Sequence, residues 1–136
     1  MNLNETMQHI FDTVVPLLIQ QGKSSVETEV DGRVINCMYR GDGGSKCAIG
    51  WLIADDRYSP DFERRGAVDA MKSLNWMPNP ELDLTQFSGD QVFHSFLCSL
   101  QACHDNASDT TEFVRHFKKE CISLLSRYVS IAALQD

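Results

Sequence analysis

The chain has 136 residues, 43% of them hydrophobic, and 12 Lys and Arg against 19 Asp and Glu leave a net charge of −7. That length suits a single globular domain, 1–136, able to bury a core without metal or disulfide support. The acidic balance argues against direct nucleic-acid binding, whose affinity comes from neutralised phosphates, and no apolar run reaches the roughly 18 residues of a membrane span.

Leu3, Met7, Ile10, Phe11, Val14, Leu17 and Leu18 recur at helical spacing. Asn2 or Asn4 is the expected cap of this first helix and Gly22 its expected end. Pro16 lies inside the pattern and should kink or shorten the helix near Asp12. Residues 26–39 read as β, with Val30-Asp31-Gly32-Arg33 as a two-residue hairpin signal. The Arg40–Ser45 turn should then reverse the chain into a strand at Lys46–Ile49, although Ala48–Ile53 could open a short helix instead. Ser59-Pro60 is a helix start, with Phe62, Ala67, Met71 and Leu74 on the buried side. Residues 75–80 form a loop rich in breakers. Ser88 with Gln91 fits a capping box before the stripe Val92, Phe93, Phe96, Leu97, Leu100 and Cys103. Asp109 with Glu112 fits a second, before Phe113, Val114, Phe117, Cys121, Leu124, Leu125 and Tyr128. The expected class is α+β: four helices packed around a two- to three-stranded antiparallel meander inserted after the first helix.

The segment from Cys37 to Gly50 concentrates the chemistry. Two cysteines bracket Arg40, Asp42, Lys46 and the glycines Gly41, Gly43 and Gly44. Such glycines take positive φ and present bare N–H groups. The spacing is not that of a phosphate-binding loop. A structural hairpin turn, an anionic nucleotide held by Arg40 and Lys46, and a protein contact all fit it. Cys47 follows Lys46 and lies near Arg40, which would favour a thiolate, and His104-Asp105 supplies base and orienter in type. Neighbours on one helix line up poorly for those roles, so a structural histidine is the competing reading. His94 and Cys98 share a helix face and could begin a zinc site, completed by Cys103, His104, Cys37 or Cys47. No CxxC or HxxxH pair supports it, and no cofactor is expected. Asp55, Asp56, Asp61 and Glu63 alternate with Arg57, Arg64 and Arg65 as a surface ion-pair network. Trp76 and Met77 sit between breakers as interface anchors or a lid. From Ser73 to Val114 there is no Lys or Arg, while Glu81, Asp83, Asp90, Asp105, Asp109 and Glu112 fall there. That stretch reads as a solvated acidic surface or as a face that docks on a basic partner. The N-terminus carries no basic segment ahead of an apolar one, so no secretory signal is expected. Cytoplasmic thiols are the matching expectation for five cysteines, an odd number.

One signature runs Tyr39-Arg40-Gly41, Gly44-Ser45-Lys46-Cys47-Ala48-Ile49-Gly50, Leu52-Ile53, Asp56, Tyr58 and Glu63, and continues in Leu100-Gln101 and His104-Asp105. With Ile10-Phe11, Val14-Val15, Leu18 and Gln21-Gly22 it resembles an uncharacterised family of small proteins encoded by bacteriophages and prophages. Trp51 departs from the pattern, where a small residue or Cys is expected. The resemblance implies a protein made in a bacterial host's cytoplasm that binds and inhibits a host or anti-phage defence protein. Masking of a nucleic-acid-binding surface is one form this could take. Expected contact residues are Arg40, Asp42, Gly43, Gly44, Lys46, Trp76, Asp83, Asp90, Asp105 and Asp109. A small-ligand binder for an anionic nucleotide is the alternative, followed by a zinc-stabilised module or a thiol hydrolase.

Overall fold

The computed structural model describes residues 1–28, 34–63, 65–73, 84–108 and 112–135. Asn2 opens helix α1, Leu3–Gln21, with a capping box: its side chain accepts from Glu5 N at 2.8 Å, and Glu5 accepts from Asn2 N at 3.1 Å. Gly22, at φ 72°, closes the helix and donates to Leu18 O. The buried face carries Met7, Ile10, Phe11, Val14, Val15 and Leu18. The helix runs through Pro16 rather than stopping there. Pro16 and Asp12 both lie on the exposed side, where water can solvate the carbonyl that loses its donor.

The expected α+β class is overturned, because the described chain is mostly helical, at 66%. Extended residues contribute one short antiparallel pair, Val26–Thr28 against Val34–Cys37, with an irregular register between Glu27 and Thr28. The hairpin signal at residues 30–33 lies outside the described residues. No meander follows it in the described residues. Arg40 and Lys46 form an isolated bridge, and the chain then curls. Trp51 N donates to Cys47 O and Leu52 N to Ile49 O, so residues expected in a ladder close on themselves. Short 3₁₀ turns follow at Gly50–Leu52, Asp55–Arg57 and Pro60–Phe62.

Ser59 caps only the last of these turns, accepting from Asp61 N, because Glu63 returns to extended geometry. Helix α2, Ala67–Ser73, starts later than the sequence suggests. Helix α3 spans Gln91–Ala107, and its cap is Asp90 rather than Ser88: the Asp90 carboxylate accepts from Phe93 N at 3.0 Å. Helix α4 spans Phe113–Leu125. Glu112 holds Arg115 at 2.7 Å instead of closing a capping box, and Asp109 lies outside the described residues.

α3 packs chiefly on α4. Phe93, Phe96, Leu97, Leu100 and Cys103 meet Phe113, Phe117, Cys121 and Leu125 in one cluster that also takes the α1 face. Val92, expected in the stripe, is exposed. Tyr39, Cys47, Ala48, Ile49, Leu52 and Ile53 close the same core from the loop side. Among the described residues no helix is long and apolar enough to cross a membrane.

Candidate functional site

The Gly41–Ser45 turn is built by close approach. Gly41 N donates to Ser45 O at 3.0 Å, and Cys47 N to Tyr39 O at 3.3 Å. A Cβ on Gly41 would fall 2.6 Å from Val26 N, and one on Gly50 would fall 2.0 Å from Tyr39 O. Gly43 and Gly44 sit at φ 68° and 77°, the left-handed region that side chains disfavour. The signature glycines are therefore demanded by the backbone itself.

Polar side chains from distant elements then grip this loop. Gln21, at the end of α1, brackets one residue: its Oε1 accepts from Lys46 N at 3.0 Å and its Nε2 donates to Lys46 O at 2.9 Å. The Glu63 carboxylate accepts from Tyr39 N at 2.8 Å, from Arg40 N at 3.2 Å and from the Tyr58 hydroxyl. The Tyr39 hydroxyl donates to Arg65 O. From α3, Gln101 Oε1 accepts from Ile49 N at 3.0 Å, while its Nε2 donates to Asp105 Oδ1 at 2.8 Å. His104 Nε2 accepts from Ser25 N at 2.8 Å. A backbone N–H can only donate, so the imidazole proton sits on Nδ1, which donates to Asp105 Oδ1 at 2.9 Å.

That tautomer decides what His104 and Cys47 do. Both ring nitrogens of the fully buried His104 are engaged, one on the Ser25 backbone and one on Asp105. The Cys47 thiol is sealed in the core, where its sulfur accepts from Gly50 N at 3.3 Å. Burial pushes the thiol up to about 12, despite the opposing bond from Gly50. A nucleophile needs an accessible thiolate and a base with a free lone pair. Asp105 instead orients Gln101, which holds Ile49, and His104 holds Ser25, whose hydroxyl donates to Ser45 O at 3.2 Å.

The metal candidates stay apart as well. His94 Nε2 is engaged with Ser88 O, Cys98 is exposed, and among the described residues no group of three His, Cys, Asp or Glu could hold a metal. Cys103 and Cys121 face each other between α3 and α4, and the hydrogen bond the Cys103 thiol donates to Cys121 together with burial holds that thiol far above its usual range.

What the scaffold presents is a paired-cation surface. Arg40 Nη2 lies 2.8 Å and Lys46 Nζ 3.5 Å from the same oxygen, Asp55 Oδ1. Each cation also lies on a ring: Arg40 Cζ is 4.6 Å from the Tyr58 centroid, and Lys46 Nζ is 4.7 Å from that of Trp51. Trp51, the departure from the signature, thus carries one of the two cations. Lys46 first, and then Arg40, lowers the pKa of Asp55. Lys23 Nζ lies 3.1 Å from the Cβ position of Gly43 and adds a third positive charge beside the turn. Among the described residues, the buried side-chain donors without a partner are Arg40 Nε and Trp51 Nε1, both in this cluster.

Of the expected contact residues, Arg40, Gly43, Gly44 and Lys46 come together here, and the backbone of Asp42 lies in the same turn. Asp90 and Asp105 do not join them: one caps α3 and the other serves Gln101 and His104. Trp76, Asp83 and Asp109 lie outside the described residues. Residue reasoning missed the grips of Gln21 and Gln101, and it placed Asp55 in an ion-pair network with Arg57, Arg64 and Arg65 rather than with Arg40 and Lys46. The available signal for Gln101 was its spacing of four from Asp105 on one helix. Comparison with family models, curated proteins and solved structures finds no match to this chain.

Proposed function

We propose that the protein is a non-enzymatic accessory protein of phage or prophage origin that binds and inhibits a host or defence protein through the Arg40–Tyr58 loop surface. One observation carries this reading: the polar residues that could do chemistry hold the loop backbone instead. Gln101 binds Ile49, Glu63 binds Tyr39 and Arg40, Gln21 binds Lys46, and His104 binds Ser25, whose hydroxyl in turn donates to Ser45 O. A loop fixed in this way enters a complex with little ordering left to lose. The cations and rings it presents are the residue types that anchor interfaces. The resemblance to phage proteins supplies the class of partner. The acidic stretch contributes less than the sequence suggests, since Asp90 and Asp105 are engaged internally.

The test is capture of partners from bacterial lysate on the tagged protein, read by mass spectrometry. One dominant, stoichiometric partner is expected, lost with Lys46→Glu and kept with Asp90→Asn. No partner, or a partner indifferent to Lys46, removes the proposal.

A further inference from the structure

The paired cations differ from ordinary surface charges in how firmly they are held. The Arg40 and Lys46 side chains are only 22% and 23% exposed, whereas Asp55 is 81% exposed. Arg40 Nη2 is further tied to Ile53 O at 3.0 Å. The main chain of Lys46 is clamped by Gln21, and that of Arg40 by Glu63. Each cation also has an aromatic support that does not involve Asp55, Tyr58 under Arg40 and Trp51 under Lys46. The Glu63 carboxylate is turned toward the backbone N–H groups and the Tyr58 hydroxyl. The cations are therefore fixed and partly desolvated, and the exposed carboxylate between them is the movable part. Exposed ion pairs contribute little net free energy in water, so Asp55 is readily exchanged for another anion.

From this geometry we infer that Arg40 and Lys46, backed by Tyr58 and Trp51, form a recognition site for an Asp or Glu side chain of a protein partner, which Asp55 occupies as an internal surrogate in the free chain. The inference rests on the binding-protein reading and adds the partner's chemistry: a protruding acidic residue rather than a basic surface. A carboxylate is favoured over a larger anion because the pair already receives one oxygen of a carboxylate, flanked by a ring on each side. The surrogate also protects the site from weak anions, since a ligand must displace Asp55 before it gains both cations.

The experiment is a ¹⁵N-detected titration of the whole chain at low ionic strength with a capped tetraglutamate peptide, and separately with inorganic phosphate. Tetraglutamate is expected to move the Lys46 and Asp55 amide signals and the Trp51 indole signal. Asp55→Asn should tighten peptide binding about two- to fivefold, the range set by loss of one exposed competing ion pair. Lys46→Gln, which keeps the stem against Trp51, should abolish measurable binding. Asp55→Asn that leaves peptide affinity unchanged or weaker overturns the surrogate. Phosphate shifting the same signals while tetraglutamate does not overturns the carboxylate assignment. A lysate partner captured equally by wild type, Asp55→Asn and Lys46→Gln overturns this inference and leaves a binding protein standing. Peptide binding with no lysate partner keeps the site and removes the inhibitor reading.

Discussion

Between α3 and α4 the contact is apolar, with Phe96, Leu97 and Leu100 on one side and Phe117, Cys121 and Leu125 on the other. Residues 38–63 also bury Cys47, Ile49, Leu52 and Ile53 in that core, but their backbone is held by side chains of α1 and α3, Gln21 on Lys46 and Gln101 on Ile49. The first region depends on volume, and the second depends on the placement of individual donors, acceptors and missing Cβ atoms. A helix pair of the first kind tolerates sequence change as long as size is kept. The second kind has little such tolerance, because each bond needs its own donor or acceptor in place.

Breaking the helix pair should have the largest effect. Phe117 is fully buried and stacks on Phe113 at 5.4 Å. Phe117→Ala should cost about 3–5 kcal/mol in urea unfolding, whereas the volume-conserving Leu100→Met should cost less than about 1.5 kcal/mol. The loop side inverts that preference, because there a single added methyl matters. Gly50→Ala would force a Cβ to 2.0 Å from Tyr39 O, a backbone atom that cannot rotate away. It should cost about 3 kcal/mol, and its damage should map to residues 38–63 in hydrogen exchange while α4 stays protected. Equal loss of protection in both regions would show that they unfold as one unit and dissolve the comparison.

The same contrast explains what could be read in advance. The α3 and α4 stripes recur every three to four residues, so their cores were legible from spacing alone. Their caps were less so: Ser88 and Asp90 are both competent caps, and only the bond to Phe93 N chooses between them. At Cys47–Gly50 the apolar run has no period, so a strand and a turn fit it equally well. The bonds that decide for the turn reach 25 residues to Gln21 and 52 to Gln101. His104 reaches 79 residues to Ser25. Local patterns hold no information at such separations. For the site, the clustering of Arg40, Lys46 and the turn glycines follows from their closeness in the chain. The roles of Asp55, Tyr58 and Trp51 as partners of those two cations do not.

A cut through one of these long bonds should cost less than Gly50→Ala. Gln101→Leu keeps the volume and strips Ile49 N of its acceptor, for about 1–3 kcal/mol. Alkali should sharpen the comparison further. Cys47 is pushed up from 9.0 to about 12 and Tyr58 from 10.0 to about 12, both first by burial and both on the loop side. Raised values mean that the folded chain holds its protons longer than the unfolded one. The contribution is therefore complete below pH 9 and is lost as pH climbs toward 12. Stability should fall steadily across that window, and Cys47→Ala should flatten the fall even though it lowers the plateau.

The smallest expected effect on stability is also the one that bears most on function. Asp55 is largely exposed, and the cations it touches have aromatic and backbone supports besides it. Asp55→Asn should therefore leave the melting temperature within about three degrees of wild type. A drop of several degrees would mean that Asp55 is a structural strut, joining Glu63 and Gln101 in holding the loop. No change in stability combined with tighter acidic-peptide binding has only one consistent account. Fold and recognition are then carried by different members of one charge cluster: Glu63 holds the backbone, Arg40 and Lys46 wait on their rings, and Asp55 keeps their place.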